Sequence, residues 1–363
     1  MASNDSLRPV PLIPSRNPTR VTSKPEPDIE ASNPAPSPRR RPSFVPGFND
    51  PPPFLTFLRH SCFDIATQLL CLLVAYLLYK FCPPIMPRYF PLYPGVEKSE
   101  WGIKHSQPYL KEYVNTITSA LVSFFGPALV MGGIALWGTR QFEDGNAALI
   151  GLGYALSTAT LFQSFIKIFV GGLRPHFLSV CKPRIPPSTP GLPSFPGSQV
   201  AFYTAEQVCT GDEDDIKEAQ MSFPSGHACA AFAGFGFLAL FLNAKYKIVS
   251  QGGHFRQHYG AQAQREGRTE AQQEKSGFVN QRVHHWKLVL FVAPWCMAVV
   301  LALSKVRDGW HHPVDLVFGS TMGTLFAHMG FKMVYMSVYD ERTNHVSLGG
   351  VSGEKVRGTE KES

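Results

Sequence analysis

The chain has 363 residues, 44% of them hydrophobic and 17% charged, with a formal net charge of +7 and a pI of about 9.0. A basic balance admits nucleic acid, anionic lipid or an anionic substrate. No basic stripe interleaved with aromatics and no zinc-finger or RNA-binding signature is present, so nucleic acid is set aside. The mean hydropathy of -0.05 is that of a soluble protein only because apolar blocks are averaged against polar ends and a polar central stretch.

Residues 1 to about 59 are dense in Pro, Ser and Arg, as in PEPDIEASNPAPSPRRRPSF, and hold too little apolar surface to offset chain entropy. They read as a disordered tail without a signal-peptide core. Arg39, Arg40 and Arg41 ahead of Ser43 suit a solvated tail that sets membrane orientation better than a kinase site or a lipid contact. Beyond the tail, a hydrocarbon layer about 30 Å thick needs roughly 20 helical residues. Stretches near 62–81, 116–138, 147–170, 227–243, 287–304 and 314–335 approach that length. The expected fold is all-α, a polytopic membrane bundle of about six transmembrane helices over residues 60–340, with disordered tails at 1–59 and 341–363. The fourth stretch, HACAAFAGFGFLALFLN, is short and rich in Ala and Gly, as expected of a helix packed closely among others.

Lysine and arginine orient the bundle. With six spans, both tails share one side with the 244–286 loop, which carries Lys245, Lys247, Arg256, Arg265, Arg268, Lys275 and Arg282. The opposite side receives 82–115, 171–226 and the turn near 305–313. Both tails are therefore placed in the cytosol. The acidic run Asp212, Glu213, Asp214 and Asp215 matches no calcium loop and reads as a solvated turn. Seven cysteines form no CxxC pair, which argues against thiolate metal sites. Cys181 and Cys209 share one polar connection; they pair if it faces an oxidising compartment, and two free thiols are equally compatible.

Three places concentrate polar groups at membrane boundaries, where charge is costly and tends to be functional. In KIFVGGLRP, Lys167 and Arg174 stand nearly two helical turns apart, and two cations on one helix face invite an anion. Snorkelling to lipid headgroups is the competing account. In PSGH, Ser225 suits an N-cap. The turn that follows presents unpaired N–H groups at a positive dipole end, where phosphate binds readily. Gly226 lets an anion approach the backbone without a Cβ in the way. His227 lies in the same turn, placed to give or take a proton; a capped helix with an incidental histidine is the plainer explanation. In SKVRDGWHHPVD, Pro313 suits the first helical position. Asp315 follows His311 by four residues, so its carboxylate can hold one imidazole nitrogen and leave the other to attack. A structural hydrogen bond is the commoner origin of such a pair. The adjacent His311 and His312 lack a third ligand at zinc spacing, so no metal is expected.

Taken in order on those boundaries, the three segments resemble the K-x6-R-P, P-S-G-H and S-R-x5-H-x3-D motifs of the type 2 phosphatidic acid phosphatase superfamily. Within it, the chain is similar to the six-span lipid phosphate phosphatases, including fungal diacylglycerol pyrophosphate phosphatases, over about residues 60–335. The resemblance implies metal-independent hydrolysis, without a cofactor, of lipid phosphate monoesters or pyrophosphates. Phosphatidate, lysophosphatidate and diacylglycerol pyrophosphate are the expected substrates. By the same resemblance, His311 attacks phosphorus to form a phosphohistidine, Asp315 orients it, and His227 protonates the leaving group and then activates water. Lys167, Arg174, Ser225, Gly226 and Lys305 would hold the phosphoryl oxygens. The site would face the non-cytosolic side of the membrane.

One residue departs from the family pattern. Lys305 stands where the family has arginine, keeping the charge and losing the planar fork. Arg307, two residues on, is a candidate substitute. The departure motivates an alternative, a catalytically silent member that binds lipid. A transporter ranks last, because transporter sites lie near mid-membrane and these motifs lie at one edge.

Overall fold

The computed structural model describes residues 47–49, 51–184, 192–193, 200–249, 284–340 and 342–348, all within one compact unit. The tail up to residue 46 with its arginine cluster, the central part of the 244–286 loop and the chain beyond 348 lie outside the described residues. In chain order the helices are α1 Phe54–Phe81, α2 Glu100–His105, α3 Thr116–Gly133, α4 Phe142–Phe169, α5 Phe177–Cys181, α6 Ala205–Val208, α7 Glu213–Ala219, α8 Gly226–Tyr246, α9 His285–Arg307 and α10 Pro313–Val334. The protein is an all-α polytopic membrane bundle. Among the described residues, five helices (α1, α3, α4, α8 and α9) are long and apolar enough to cross a membrane. The 22 residues of α10 give it a comparable length, but Asp315, His328 and Lys332 dilute its apolar surface.

Local chemistry sets the helix ends. α1 begins directly after Pro53, ahead of the expected boundary near residue 60, because Phe54, Leu55 and Leu58 prolong the apolar run. The Asn115 side chain caps α3 by accepting the Thr118 N–H at 2.7 Å, and α3 runs on into a π-helical turn at Ile134–Thr139. Only Ser61 and Ala75 of α1 are buried, and most of its leucines and aromatics are exposed, as a helix bathed largely in hydrocarbon requires. α8 is the opposite case. Its small residues and phenylalanines are buried along nearly the whole helix, which makes it the axis of the bundle.

α10 crosses α8 at very short range. A Cβ on Gly319 or Gly323 would collide with the Ser225 or Cys229 carbonyl, so the small-xxx-small stripe is what lets the two helices meet. α10 passes from this contact at one end of the bundle to Asp144 at the other, where the Tyr335 hydroxyl donates to Oδ1 at 3.2 Å. Asp144 also pairs with Lys245 at 2.5 Å, tying the start of α4 to the end of α8. α10 thus traverses the same depth as α4 and α8. After it the chain folds back, with the Met336 N–H donating to the Val346 carbonyl at 3.0 Å, where the expected disordered tail was to begin at 341.

At the other end, the connections after α1 and α4 build a cap that sequence patterning missed. Strands β1 Phe90–Leu92, β2 Leu192–Pro193 and β3 Ala201–Tyr203 form an antiparallel sheet in the order β1-β3-β2. Phe90, Val96, Phe177, Tyr203 and Val208 pack beneath it as a second small core. These apolar residues are scattered singly through Pro-rich polar sequence, so no periodicity announces them. Cys181 and Cys209 form a disulfide with Cα atoms 4.6 Å apart.

Candidate active site

The three motif segments lie at the ends of four helices that meet under this cap: the first closes α4, the second opens α8, and the third closes α9 and opens α10. α4 stops at Phe169, and Gly171 (φ 52°) and Gly172 (φ 131°) reverse the chain in conformations that a side chain would strain. The expected single helix face carrying Lys167 and Arg174 is therefore corrected, since the helix ends between them. Backbone bonds from Gly172 N–H to Gln220 O (3.1 Å) and Arg174 N–H to Ala219 O (2.8 Å) hold the turn against the segment before α8. Both cations still reach the same cavity.

Ser225 is the N-cap of α8, accepting the Ala228 N–H at 3.4 Å, and its own N–H donates to the Asp315 carbonyl at 3.1 Å. PSGH is thereby locked to the first turn of α10, which opens at Pro313. The Asp315 carboxylate is held from two sides, by the Ser222 hydroxyl at 2.5 Å and the His312 N–H at 3.0 Å. The same Oδ2 lies 3.5 Å from His311 Nδ1, leaving Nε2 as the atom free to react. Burial pushes the His311 imidazole well below its ordinary pKa; Asp315 opposes the shift, and Arg174 and Lys167 reinforce it. The ring is neutral at neutral pH, the form in which nitrogen can attack.

A cavity of about 290 Å³ joins these groups. Lys167, Arg174, Gly226, His227 and His311 lie on its wall. Ser225, Asp315 and Lys305 stand behind the wall and support it. Arg174 is 3% exposed, its guanidinium stacked 4.7 Å over Trp310. Its Nη2 meets Glu218 Oε1 at 3.2 Å, whereas the buried Nε and Nη1 find no protein partner. The buried His227 Nε2 is also unpartnered. Buried donors left open around one cavity are what an anion site requires.

Lys305 is 0% exposed, with Nζ 3.2 Å from Glu112 Oε1 and 3.9 Å from Asp308 Oδ2. Arg307 lies exposed over the Tyr113 ring at 4.7 Å and does not replace it. Sequence patterning assigns no role to Glu112, Glu218, Ser222 or Trp310. Their placement is entirely tertiary, and no local pattern distinguishes them. His176 is unmarked as well. Buried at 2% exposure, it donates from Nδ1 to the Gly309 carbonyl at 2.9 Å. Burial, with Arg174 nearby, lowers its pKa to about 4 despite that bond.

The PAP2 superfamily model matches residues 148–339, which include every residue named from the three motifs. The chain belongs to the PAP2 superfamily. The chain is similar to a PA-phosphatase related-family protein of Dictyostelium discoideum, 28% identical over 211 residues, 58% of this chain and 52% of the relative. A probable lipid phosphate phosphatase 4 of Arabidopsis thaliana is 29% identical over 202 residues, 56% of this chain and 52% of its own length. The diacylglycerol pyrophosphate phosphatase 1 of Saccharomyces cerevisiae is 27% identical over 240 residues, 65% of this chain and 69% of its own length. The chain thus spans about half the length of the first two relatives and about two thirds of the third. No solved structure matches it.

Proposed function

We propose that the protein is an integral membrane phosphatase that hydrolyses lipid phosphate monoesters or pyrophosphates without a metal ion. One observation carries the reading. His311 backed by Asp315, the unpartnered His227 and two cations surround a single cavity at the end of the bundle. The names of the relatives, phosphatases acting on lipid phosphates, point the same way. Lys167 and Arg174 on the cavity wall supply positive charge for the phosphoryl oxygens.

In the first half-reaction, His311 Nε2 attacks phosphorus as the bond to the leaving oxygen breaks, and His227 delivers a proton to that oxygen. The product is a phosphohistidine and a free alcohol or lipid phosphate. In the second, His227 takes a proton from water, whose oxygen attacks phosphorus and releases inorganic phosphate, restoring His311. Lys167, the free edge of Arg174 and the Gly226 N–H neutralise the equatorial oxygens throughout. Lys305 contributes charge from behind Glu112. No observation favours a catalytically silent lipid binder, since Lys305 fills its position as a buried, ion-paired ammonium.

Phosphatidate, lysophosphatidate and diacylglycerol pyrophosphate are the proposed substrates. Tyr76 of α1 and Ala120 of α3 line the cavity, so a headgroup can slide in sideways while its chains stay among lipid. The cavity is assigned to the non-cytosolic face and the tails to the cytosol, on the lysine and arginine distribution and the Cys181–Cys209 disulfide. Purified protein is tested on labelled phosphatidate in excess EDTA. Release of phosphate should survive the chelator and vanish in His311→Ala; a requirement for magnesium would overturn the mechanism. Protease protection of the N-terminus in sealed vesicles with the cytosolic face outward would invert the orientation.

A further inference from the structure

Below the proposed phosphate position, an otherwise apolar cavity wall that includes Leu72, Ala75, Ala120, Ile168 and Ala230 carries several polar side chains. Thr116, Ser119, Thr160, Gln163 and Ser164 all line it, from α3 and α4. Polar groups buried there are costly unless bonded. Thr160 and Ser164 are satisfied by their own helix, donating to the Leu156 and Thr160 carbonyls at 2.7 and 2.8 Å. Two atoms are not. Ser119 Oγ and Gln163 Oε1 are buried and find no protein partner.

The orientation of the Gln163 amide follows from its neighbour. The Ser164 hydroxyl spends its proton on Thr160, so it can only accept from Gln163, which therefore turns Nε2 toward it at 3.4 Å. Oε1, an acceptor with no donor, is the atom left over. Gln163 lies one helical turn before Lys167 on the same face of α4, and its amide packs beside Gly226, where an added Cβ would lie 3.2 Å from Oε1. It therefore sits next to the phosphate clamp, on the side toward the membrane interior.

We propose that Gln163, assisted by Ser119, is a specificity-determining residue that accepts a hydrogen bond from a donor on the lipid backbone beside the phosphoester. The favoured substrates then carry a free hydroxyl or an ammonium group at that position. Fully esterified phosphatidate offers only acceptors there, and a prenyl phosphate offers nothing. The inference rests on the phosphatase reading and selects among the substrates that reading admits.

The test compares kcat/KM for a lysophosphatidate, a sphingoid-base phosphate, a phosphatidate and a prenyl phosphate of matched chain length, in mixed micelles with the full chain. Wild type should favour the first two. Gln163→Leu should lower them about tenfold more than the other two, the scale of one lost hydrogen bond. Gln163→Glu, which keeps the acceptor, should retain the preference and tilt it toward the ammonium-bearing substrate, separating the hydroxyl from the ammonium source. Parallel loss on all four substrates in Gln163→Leu would mark a packing role and overturn the proposal, as would equal turnover of all four by wild type. In both cases the phosphatase reading survives. Wild type that hydrolyses none of the four removes both.

Discussion

Replacing Lys305 with methionine probes the residue at which this chain departs from its family. The side chain is 0% exposed, and its Nζ sits 3.2 Å from Glu112, whose own side chain is 12% exposed. At an effective dielectric of about 20, that separation corresponds to roughly 5 kcal/mol of Coulomb attraction. Desolvation of both groups cancels much of it, so the pair adds little net stability. Breaking the pair is different. Methionine fills the space of lysine but strands Glu112 as an uncompensated buried charge, which typically costs about 3–5 kcal/mol. A loss of that size should lower the Tm of the detergent-purified protein by on the order of 10 °C. Glu112→Gln in the same background removes the stranded charge, and the double variant should recover at least half of the lost stability. Phosphate release should stay depressed in both, because the cation behind the cavity is gone. Thermal unfolding of wild type, the two single variants and the double variant completes the cycle. Strictly additive losses, or a Lys305→Met protein as stable as wild type, would refute the reasoning.

Asp315→Asn should keep the fold and lower kcat by about 10³–10⁴, the scale on which an orienting carboxylate supports histidine chemistry; steady-state kinetics on phosphatidate checks it. Ser222→Ala removes the hydroxyl donating to Asp315 at 2.5 Å and should cost roughly tenfold in kcat with little change in KM. Cys181→Ser opens a loop with a sequence separation of 28 and should destabilise the cap by about 3–4 kcal/mol, matched by wild type under reductant. Acid should weaken the protein through its buried histidines. His176, with a folded pKa of about 4, stays neutral where the unfolded ring near 6.5 takes up a proton. Stability is therefore full above the unfolded value and falls as pH drops toward the folded one, with His311 acting in the same direction. The Tm difference between pH 7.5 and about pH 5 should shrink in His176→Asn, whose amide N–H can take the place of the Nδ1 donor to Gly309 and does not titrate.

Much of this was legible along the chain because the relevant signals are local. A span needs an unbroken apolar run, and the runs in α1, α3 and α9 are unambiguous from composition alone. Ser225 as a cap and Pro313 at a first helical position follow from neighbours within one turn, and both are observed. The PAP2 motifs are likewise short strings whose order is itself informative. What local pattern cannot carry is the company each residue keeps. Lys167 and Arg174 were paired by helical spacing, yet two glycines with positive φ end the helix between them, and only the backbone contact with Gln220 and Ala219 brings Arg174 back to the cavity. Glu112, Glu218 and Ser222 acquire meaning solely from partners far away in sequence, and Trp310 gains its place over Arg174 in the same way. The cap owes its core to apolar residues too sparse for any period to reveal.

The amino-acid sequence by itself determined that the chain is a helical membrane protein carrying three phosphate-suited segments, since hydrophobic length and capping chemistry act within a few residues. The tertiary structure alone decided that those segments enclose one cavity and which charges stand behind it. Close helix crossing at Gly319 and Gly323 and burial of ions beside their partners depend on distances that only the folded chain creates.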